Sequence, residues 1–133
     1  MDLYSQRIAI LDDEEIFSFS VEHYLNKAGF SNVKRFETSG EFYYHLNKGF
    51  VPDVLLLDHF LNDEIGLDIL EKLNETHPDM KVVYLSAQKT AAIAVRALKL
   101  GAFAYQEKSV TDIKEIIELI KSDKRVEFLA DTP

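Results

Sequence analysis

Short apolar runs that end at polar residues are the main pattern of this chain. The clearest is residues 54–58, Val-Leu-Leu-Leu-Asp, in which four successive apolar residues lead to one acidic residue. A short apolar run without alternation is typical of a strand that is buried on both faces, as in the centre of a parallel sheet. Because open α/β folds place their ligand sites at the carboxyl ends of such strands, Asp58 lies where chemistry is expected.

Similar runs alternate with stretches in which apolar residues recur at helical spacing. Predicted strands cover residues 7–11, 32–36, 54–58, 81–86 and 104–107. Predicted helices run from 15 to the turn at Gly29, from the capping box 38–41 to Gly49, and over 66–77, 90–100 and 110–121. The alternation predicts a single α/β domain with a parallel sheet, doubly wound because right-handed crossovers place helices on both faces.

Composition narrows the function classes. A length of 133 residues fits one domain, and a net charge of −8 argues against a nucleic-acid-binding face, which needs clustered Lys and Arg. The absence of cysteine excludes disulfides and thiolate metal sites and fits a cytoplasmic protein. There is no apolar run of about 18 residues and no signal-type segment at the start, so we expect neither a membrane span nor a signal peptide.

Polar residues follow four of the predicted strands, and the carboxyl ends of parallel strands share one edge of the sheet. They are Asp12 and Asp13, Asp58, Ser86 and Lys108. Two unit charges 4 Å apart repel by about 4 kcal/mol at an effective dielectric of about 20, so three carboxylates need a cation, a shared proton or wide separation. An oxygen-only ligand set suits Mg²⁺. A carboxylate beside a metal, a lysine and a hydroxyl can accept a phosphoryl group as an aspartyl phosphate.

Five segments extend this pattern in a specific order and spacing. They are Ile-Leu-Asp-Asp-Glu at 10–14, Leu-Leu-Leu-Asp at 55–58 with Gly66 after it, Tyr-Leu-Ser-Ala at 84–87, Ala-Leu-Lys-Leu-Gly-Ala at 97–102, and Tyr105 with Lys108. With these segments, residues 6–122 resemble the receiver domain of two-component response regulators. The resemblance implies a flavodoxin-like fold, with a five-stranded parallel sheet in the order 2-1-3-4-5 and five helices. Residues 1–122 would form the receiver domain, and residues 123–133 a C-terminal tail or the start of a linker.

The resemblance also implies a role for each acidic residue. Asp58 is similar to the phosphoacceptor of the family, and Asp12 and Asp13 are similar to its acidic pair. Asp12, Asp13 and Asp58 would form the Mg²⁺ site, with Asp13 and Asp58 as the direct carboxylate ligands and the backbone carbonyl of Phe60 as the third protein ligand.

The remaining roles concern the phosphoryl group and the response to it. Lys108 would pair with one phosphoryl oxygen and Ser86 would donate a hydrogen bond to another. Tyr105 is similar to the aromatic switch that turns inward when Ser86 moves. The response would be transmitted by the face formed by the fourth helix, the fifth strand and the fifth helix, a face that would also serve a homodimer.

The implied function is that of a signalling switch in a phosphorelay. Asp58 would accept phosphate from a phosphohistidine of a sensor histidine kinase or a phosphotransfer protein. The protein would be no enzyme beyond its own Mg²⁺-dependent phosphotransfer and dephosphorylation. We expect a cytoplasmic protein, with no direct contact of this domain with nucleic acid or a membrane.

Two departures, Ser109 and Asn62, qualify the resemblance. Ser109 follows Lys108 where the family usually has proline, often after a cis bond, so we expect either a trans bond with a rearranged loop or a strained bond. Asn62 replaces another frequent proline. In the family, the positions of Phe60 and Gln88 influence the lifetime of the phosphoryl group. We expect the bulky Phe60 to restrict attacking water and lengthen that lifetime.

Other interpretations stay open at this stage. Asp12 and Asp13 with the following glutamate could form only a solvated acidic turn. A phosphohydrolase of the haloacid-dehalogenase type would need a second Asp where Phe60 stands, and a flavodoxin-type flavin carrier would need a phosphate loop after the first strand. The main alternative is a receiver-like interaction module that is not phosphorylated. The four histidines share no ligand spacing, and we assign none of them to a metal.

Overall fold

A five-stranded parallel sheet in the order β2-β1-β3-β4-β5 organises the computed structural model, which describes residues 2–87 and 90–123. The strands are β1 (Ile8–Leu11), β2 (Val33–Phe36), β3 (Val54–Asp58), β4 (Lys81–Ser86) and β5 (Ala104–Glu107). The helices are α1 (Glu15–Lys27), α2 (Ser39–Asn47), α3 (Gly66–Thr76), α4 (Ala91–Lys99) and α5 (Ile113–Lys121), with 3-10 turns at Leu3–Ser5 and Val110–Asp112. The predicted fold class and strand order are confirmed.

The central strand β3 is buried on both faces, as its unbroken apolar run predicts. Leu55 and Leu57 belong to one hydrophobic cluster, together with apolar residues of α2, α3 and α4. Val54 and Leu56 belong to a second cluster on the opposite face, together with residues of α1 and α5. These two layers leave the carboxyl end of β3 as the place where its only charged residue, Asp58, reaches the edge of the sheet.

The start of the last helix differs from the sequence prediction. Residues 110–112 form a 3-10 turn, and α5 begins at Ile113 rather than at Val110. The cause is local, because the Ser109 side chain accepts a hydrogen bond of 3.2 Å from the backbone N–H of Thr111. A hydroxyl that bonds the backbone two residues later favours a tight turn over an α-helical one.

The loop before this turn shows which geometry the peptide bond between Lys108 and Ser109 adopts. The described residues contain no cis peptide bond, so the bond between Lys108 and Ser109 is trans. The backbone N–H of Lys108 donates a hydrogen bond of 2.9 Å to the carbonyl of Ser86, which keeps the loop next to the end of β4.

Two sequence predictions fall where the structure gives no description. Gln88 and the tail beyond residue 123 lie outside the described residues. Among residues 2–87 and 90–123, no helix has the length and apolar character needed to cross a membrane.

Candidate functional site

The carboxyl ends of β1 and β3 bring three carboxylates together. One oxygen of each of Asp12, Asp13 and Asp58 lies within 4.8 Å of the other two. Asp12 and Asp58 are buried and Asp13 is half-buried. Three of the residues that the sequence predicted as metal ligands therefore form one cluster, which opens to solvent on the side of Asp13.

Lys108 supplies positive charge to this cluster from the end of β5. Its Nζ lies 3.0 Å from Asp12 Oδ1 and 3.5 Å from Asp58 Oδ2, and its side chain is only 5% exposed. It also forms an ion pair with the exposed Glu14, a partner that sequence reasoning assigned only to the acidic turn. Burial lowers the pKa of Lys108, but the hydrogen bond to Glu14 and the charges of Asp12 and Asp58 outweigh it, so the pKa is raised and the ammonium stays charged.

The single positive charge of Lys108 does not balance the negative charges of the three carboxylates. The pKa of Asp58 is raised to about 7, first by burial and then by the charge of Asp12, against the lowering effect of Lys108. Burial likewise raises the pKa of Asp12, although the Glu14 backbone N–H and Lys108 act in the opposite direction. The two most buried carboxyl groups are thus held in an environment that opposes their ionised forms.

The donor set of the cluster fits a hard divalent cation. Asp12 Oδ2 is buried and has no hydrogen-bond partner among the described residues, whereas Oδ1 accepts from Lys108 and from the backbone N–H of Glu14. Mg²⁺ takes oxygen ligands in proteins, commonly one or two carboxylates together with several waters and phosphate oxygens. Asp12, Asp13 and Asp58 would therefore form a favourable environment for such an ion.

Ser86 and Tyr105 occupy the same side of the sheet. Ser86 is the last residue of β4 and is fully buried, with its carbonyl bonded to the Lys108 N–H. Tyr105 lies in β5, opposite Tyr84 in the strand register, and is half-buried. The structure thus places the predicted hydroxyl at the edge that carries Asp58, and the predicted aromatic switch one strand away.

A contact that the sequence gave no reason to expect lies next to Asp58. His59 is buried, and its Nδ1 is 2.6 Å from the Tyr84 hydroxyl. Burial and the nearby Arg96 lower the pKa of His59, while burial first of all raises the pKa of Tyr84. Both directions favour the uncharged forms, so the hydrogen bond joins a neutral phenol to a neutral imidazole.

Gly66 permits this close arrangement. A Cβ at this position would overlap the Asp58 carbonyl oxygen and lie 2.7 Å from the Tyr84 hydroxyl. The glycine that follows Asp58 by eight residues is thus required by the approach of α3 to the end of β3, a reason that its spacing in the sequence did not supply.

Phe60 lies in the loop between β3 and α3, residues 59–65. Its side chain is 53% exposed and makes an edge contact with the His59 ring at a centroid distance of 4.4 Å. The Phe60 backbone pairs with Ile65 in an isolated bridge, which closes the loop at its base. The residue predicted as the third metal ligand therefore belongs to a closed loop directly after Asp58.

Comparison with known proteins gives a consistent result. Residues 8–121 match the family model described as the response regulator receiver domain. NtrC of Klebsiella pneumoniae, a DNA-binding transcriptional regulator, is 33% identical over 111 residues, which are 84% of this chain and 23% of that protein. The photosynthetic apparatus regulatory protein RegA of Rhodovulum sulfidophilum is 32% identical over 102 residues, 76% of this chain and 54% of that protein.

Solved structures show the same similarity. A response regulator from Thermotoga maritima has a TM-score of 0.74 at 26% identity, with 89% of this chain and 99% of that one covered. A BeF3-activated DrrB receiver domain has a TM-score of 0.73 at 25% identity, with the same two shares covered. The chain spans between 14% and 54% of the length of the curated relatives that it matches.

Proposed function

The chain belongs to the response regulator receiver domain family, and from that premise we propose that it is a phosphorelay switch with Asp58 as the phosphoacceptor. The observation that carries the proposal is the convergence of Asp58 with two further carboxylates and a buried lysine, with Lys108 Nζ 3.5 Å from Asp58 Oδ2. The donor would be a phosphohistidine of a sensor histidine kinase or of a phosphotransfer protein.

The transfer itself is a displacement at phosphorus. One carboxylate oxygen of Asp58 forms the new bond to phosphorus while the phosphorus–nitrogen bond of the donor breaks, and the imidazole nitrogen keeps the bonding electron pair. The attacking oxygen must be ionised, so the lysine that lowers the pKa of Asp58 favours the reactive form. Mg²⁺ held by Asp13, Asp58 and the Phe60 carbonyl would neutralise charge on the transferring group.

Phosphorylation would then change the contacts of three residues. Lys108 would exchange part of its interaction with Asp12 for a phosphoryl oxygen, Ser86 would donate a hydrogen bond to another, and Tyr105 would turn inward. Hydrogen bonds to charged groups contribute roughly 1.5–3 kcal/mol each. Two or three such bonds approach the roughly 5.5 kcal/mol that shifts a two-state equilibrium from 1:99 to 99:1.

The rest of the proposal concerns the wider protein. We assign residues 1–122 to the receiver domain and residues 123–133 to a tail or the start of a linker. The face formed by α4, β5 and α5 would transmit the signal and serve a homodimer. The acidic balance of the chain supports a domain that does not itself contact nucleic acid.

The test is phosphorylation of the full chain in vitro. Incubation with Mg²⁺ and acetyl phosphate should add the mass of one phosphoryl group, and the Asp58→Asn variant should show no addition. A sensor kinase labelled on its histidine provides a second donor. If neither donor modifies the wild-type chain, the phosphoacceptor proposal is wrong and the interaction module that is not phosphorylated replaces it.

A further inference from the structure

The loop between β3 and α3, residues 59–65, carries the backbone carbonyl that we propose as a metal ligand. At its base, the backbone N–H of Gly66 donates a hydrogen bond of 2.8 Å to the His59 carbonyl, and Phe60 bridges to Ile65. Both contacts lie at the base of the loop, and neither involves the residues of its tip, 61–64.

Asp63 bonds the tip of the loop to the start of α2. Its Oδ1 accepts a hydrogen bond of 3.1 Å from the backbone N–H of Ser39. Its Oδ2 accepts bonds of 2.9 Å from the Ser39 hydroxyl and 3.1 Å from the Gly40 N–H. One exposed side chain from the loop thus makes three hydrogen bonds to a helix that lies more than 20 positions earlier in the chain.

These bonds complete the N-terminal cap of α2. The Thr38 side chain accepts the N–H of Glu41, so the first three N–H groups of the helix are shared between Thr38 and Asp63. Burial would raise the pKa of Asp63, but the hydrogen bonds from Ser39 and Gly40 outweigh it, and the pKa is lowered. A carboxylate at a helix N-terminus is also favoured by the helix dipole.

Glu64, the next residue, also bonds the tip of the loop to α2. Glu64 Oε1 accepts a bond of 3.4 Å from the Tyr43 hydroxyl of α2, and Glu64 Oε2 lies 2.7 Å from Lys72 Nζ of α3. The loop tip is therefore bonded to α2 at two adjacent residues. Asp63 makes the larger number of contacts, and two of its three donors are backbone groups whose positions are set by the helix.

We propose that Asp63 is a positioning residue for the divalent cation. By bonding the loop tip to α2, it holds the backbone at Phe60 in the conformation from which the carbonyl binds the metal. This inference rests on the proposed function, because it needs the cation at Asp13 and Asp58.

The test measures Mg²⁺ affinity by calorimetry on the full chain. Asp63→Ala should raise the Mg²⁺ dissociation constant by about tenfold, the low end of what the loss of supporting contacts around a metal ligand produces. Asp63→Asn keeps an amide oxygen as an acceptor and should give an intermediate value. Ser39→Ala removes one donor of three and should give the smallest increase, which keeps the test available if Asp63→Ala folds poorly.

A matched control separates positioning from stability. Asp53 Oδ2 accepts a hydrogen bond of 2.8 Å from the Arg7 N–H at the opposite edge of the sheet. Asp53→Ala should lower the unfolding midpoint and leave the Mg²⁺ dissociation constant unchanged. In phosphorylation with acetyl phosphate, Asp63→Ala should raise the Mg²⁺ concentration for half-maximal rate and leave the rate at saturating Mg²⁺ unchanged.

The outcomes distinguish the inference from the function on which it rests. An unchanged Mg²⁺ affinity in Asp63→Ala, or an equal loss in Asp53→Ala, overturns the positioning role while wild-type binding still supports the proposed site. If the wild-type chain binds no Mg²⁺, or Asp13→Asn binds it as tightly as the wild type, the proposed metal site fails, and the inference with it.

Discussion

The hydroxyl of Tyr84 lies 2.6 Å from His59 Nδ1, which joins the residue after Asp58 to the core of the central sheet. A buried phenol of β4 thus bonds the side chain of the residue that follows Asp58. We expect the conformation of the backbone next to Asp58 to depend on this contact.

Tyr84→Phe should destabilise the protein by about 1–3 kcal/mol, because His59 Nδ1 loses a buried hydrogen-bond partner. Urea denaturation followed by circular dichroism measures the change. Tyr43→Phe is the control, since its hydroxyl makes a longer bond of 3.4 Å to Glu64 and the residue is half-buried. Equal losses of stability in the two variants would show that the bond to His59 contributes no more to stability than the bond between Tyr43 and Glu64.

Asp58→Asn should stabilise the metal-free protein near pH 8, and the gain should shrink as the pH falls toward 4. The pKa of Asp58 is raised to about 7 in the folded state from 3.8, so the folded protein binds a proton that the unfolded chain has released. This contribution is fully present below the unfolded pKa and is lost as the pH rises through 7. At about 1.4 kcal/mol per pKa unit, the rise of the pKa from 3.8 to about 7 makes the gain at pH 8 roughly 4 kcal/mol.

Denaturation curves of both proteins between pH 4 and pH 8 measure this difference. Added Mg²⁺ should stabilise the wild type at pH 8 and should have a smaller effect on Asp58→Asn, because the variant lacks one carboxylate of the cluster. A stability difference between the two proteins that is independent of pH would contradict the raised pKa.

Phe60→Asn should shorten the lifetime of the aspartyl phosphate several-fold. Phe60 is 53% exposed and its ring contacts the His59 ring, directly after the proposed phosphoacceptor Asp58, so we expect it to restrict the access of water. The measurement is the first-order loss of phosphate after the removal of acetyl phosphate. Phe60→Leu, which keeps an apolar side chain, serves as the control. Hydrolysis that is unchanged or slower in Phe60→Asn would refute the role.

Gly66→Ala should destabilise the fold strongly, by about 3 kcal/mol or more, because its Cβ would overlap the Asp58 carbonyl and approach the Tyr84 hydroxyl. Gly40→Ala is the matched change, since Gly40 lies in α2 and its nearest neighbour would be Asp63 Oδ2 at 3.9 Å. There the higher helix propensity of alanine should stabilise by about 0.5–1 kcal/mol. Opposite signs in thermal unfolding would support both assignments, and a tolerated Gly66→Ala would contradict the first.

The sequence by itself determined the strands, their order along the chain and the place of Asp58. The strands at 54–58, 81–86 and 104–107 were predicted with the bounds that the structure shows. Burial on both faces of a parallel strand requires an unbroken apolar run, so the runs at 54–57 and 82–85 indicate central strands directly. Thr38 was also identified as a helix start, because a capping side chain bonds an N–H only three residues away.

Only the tertiary structure decided which side chains meet across the fold. Lys108 pairs with Glu14, 94 positions away, Tyr84 bonds His59, and Asp63 caps α2. None of these pairs has a periodic spacing, because each depends on strand register and on how closely a helix or loop approaches a strand end. The same holds for the 3-10 turn after Ser109, where a hydroxyl bond competes with the helical pattern of residues 110–121. Local periodicity reports the burial of a face, whereas a contact between two polar side chains depends on the position of the backbone at both ends.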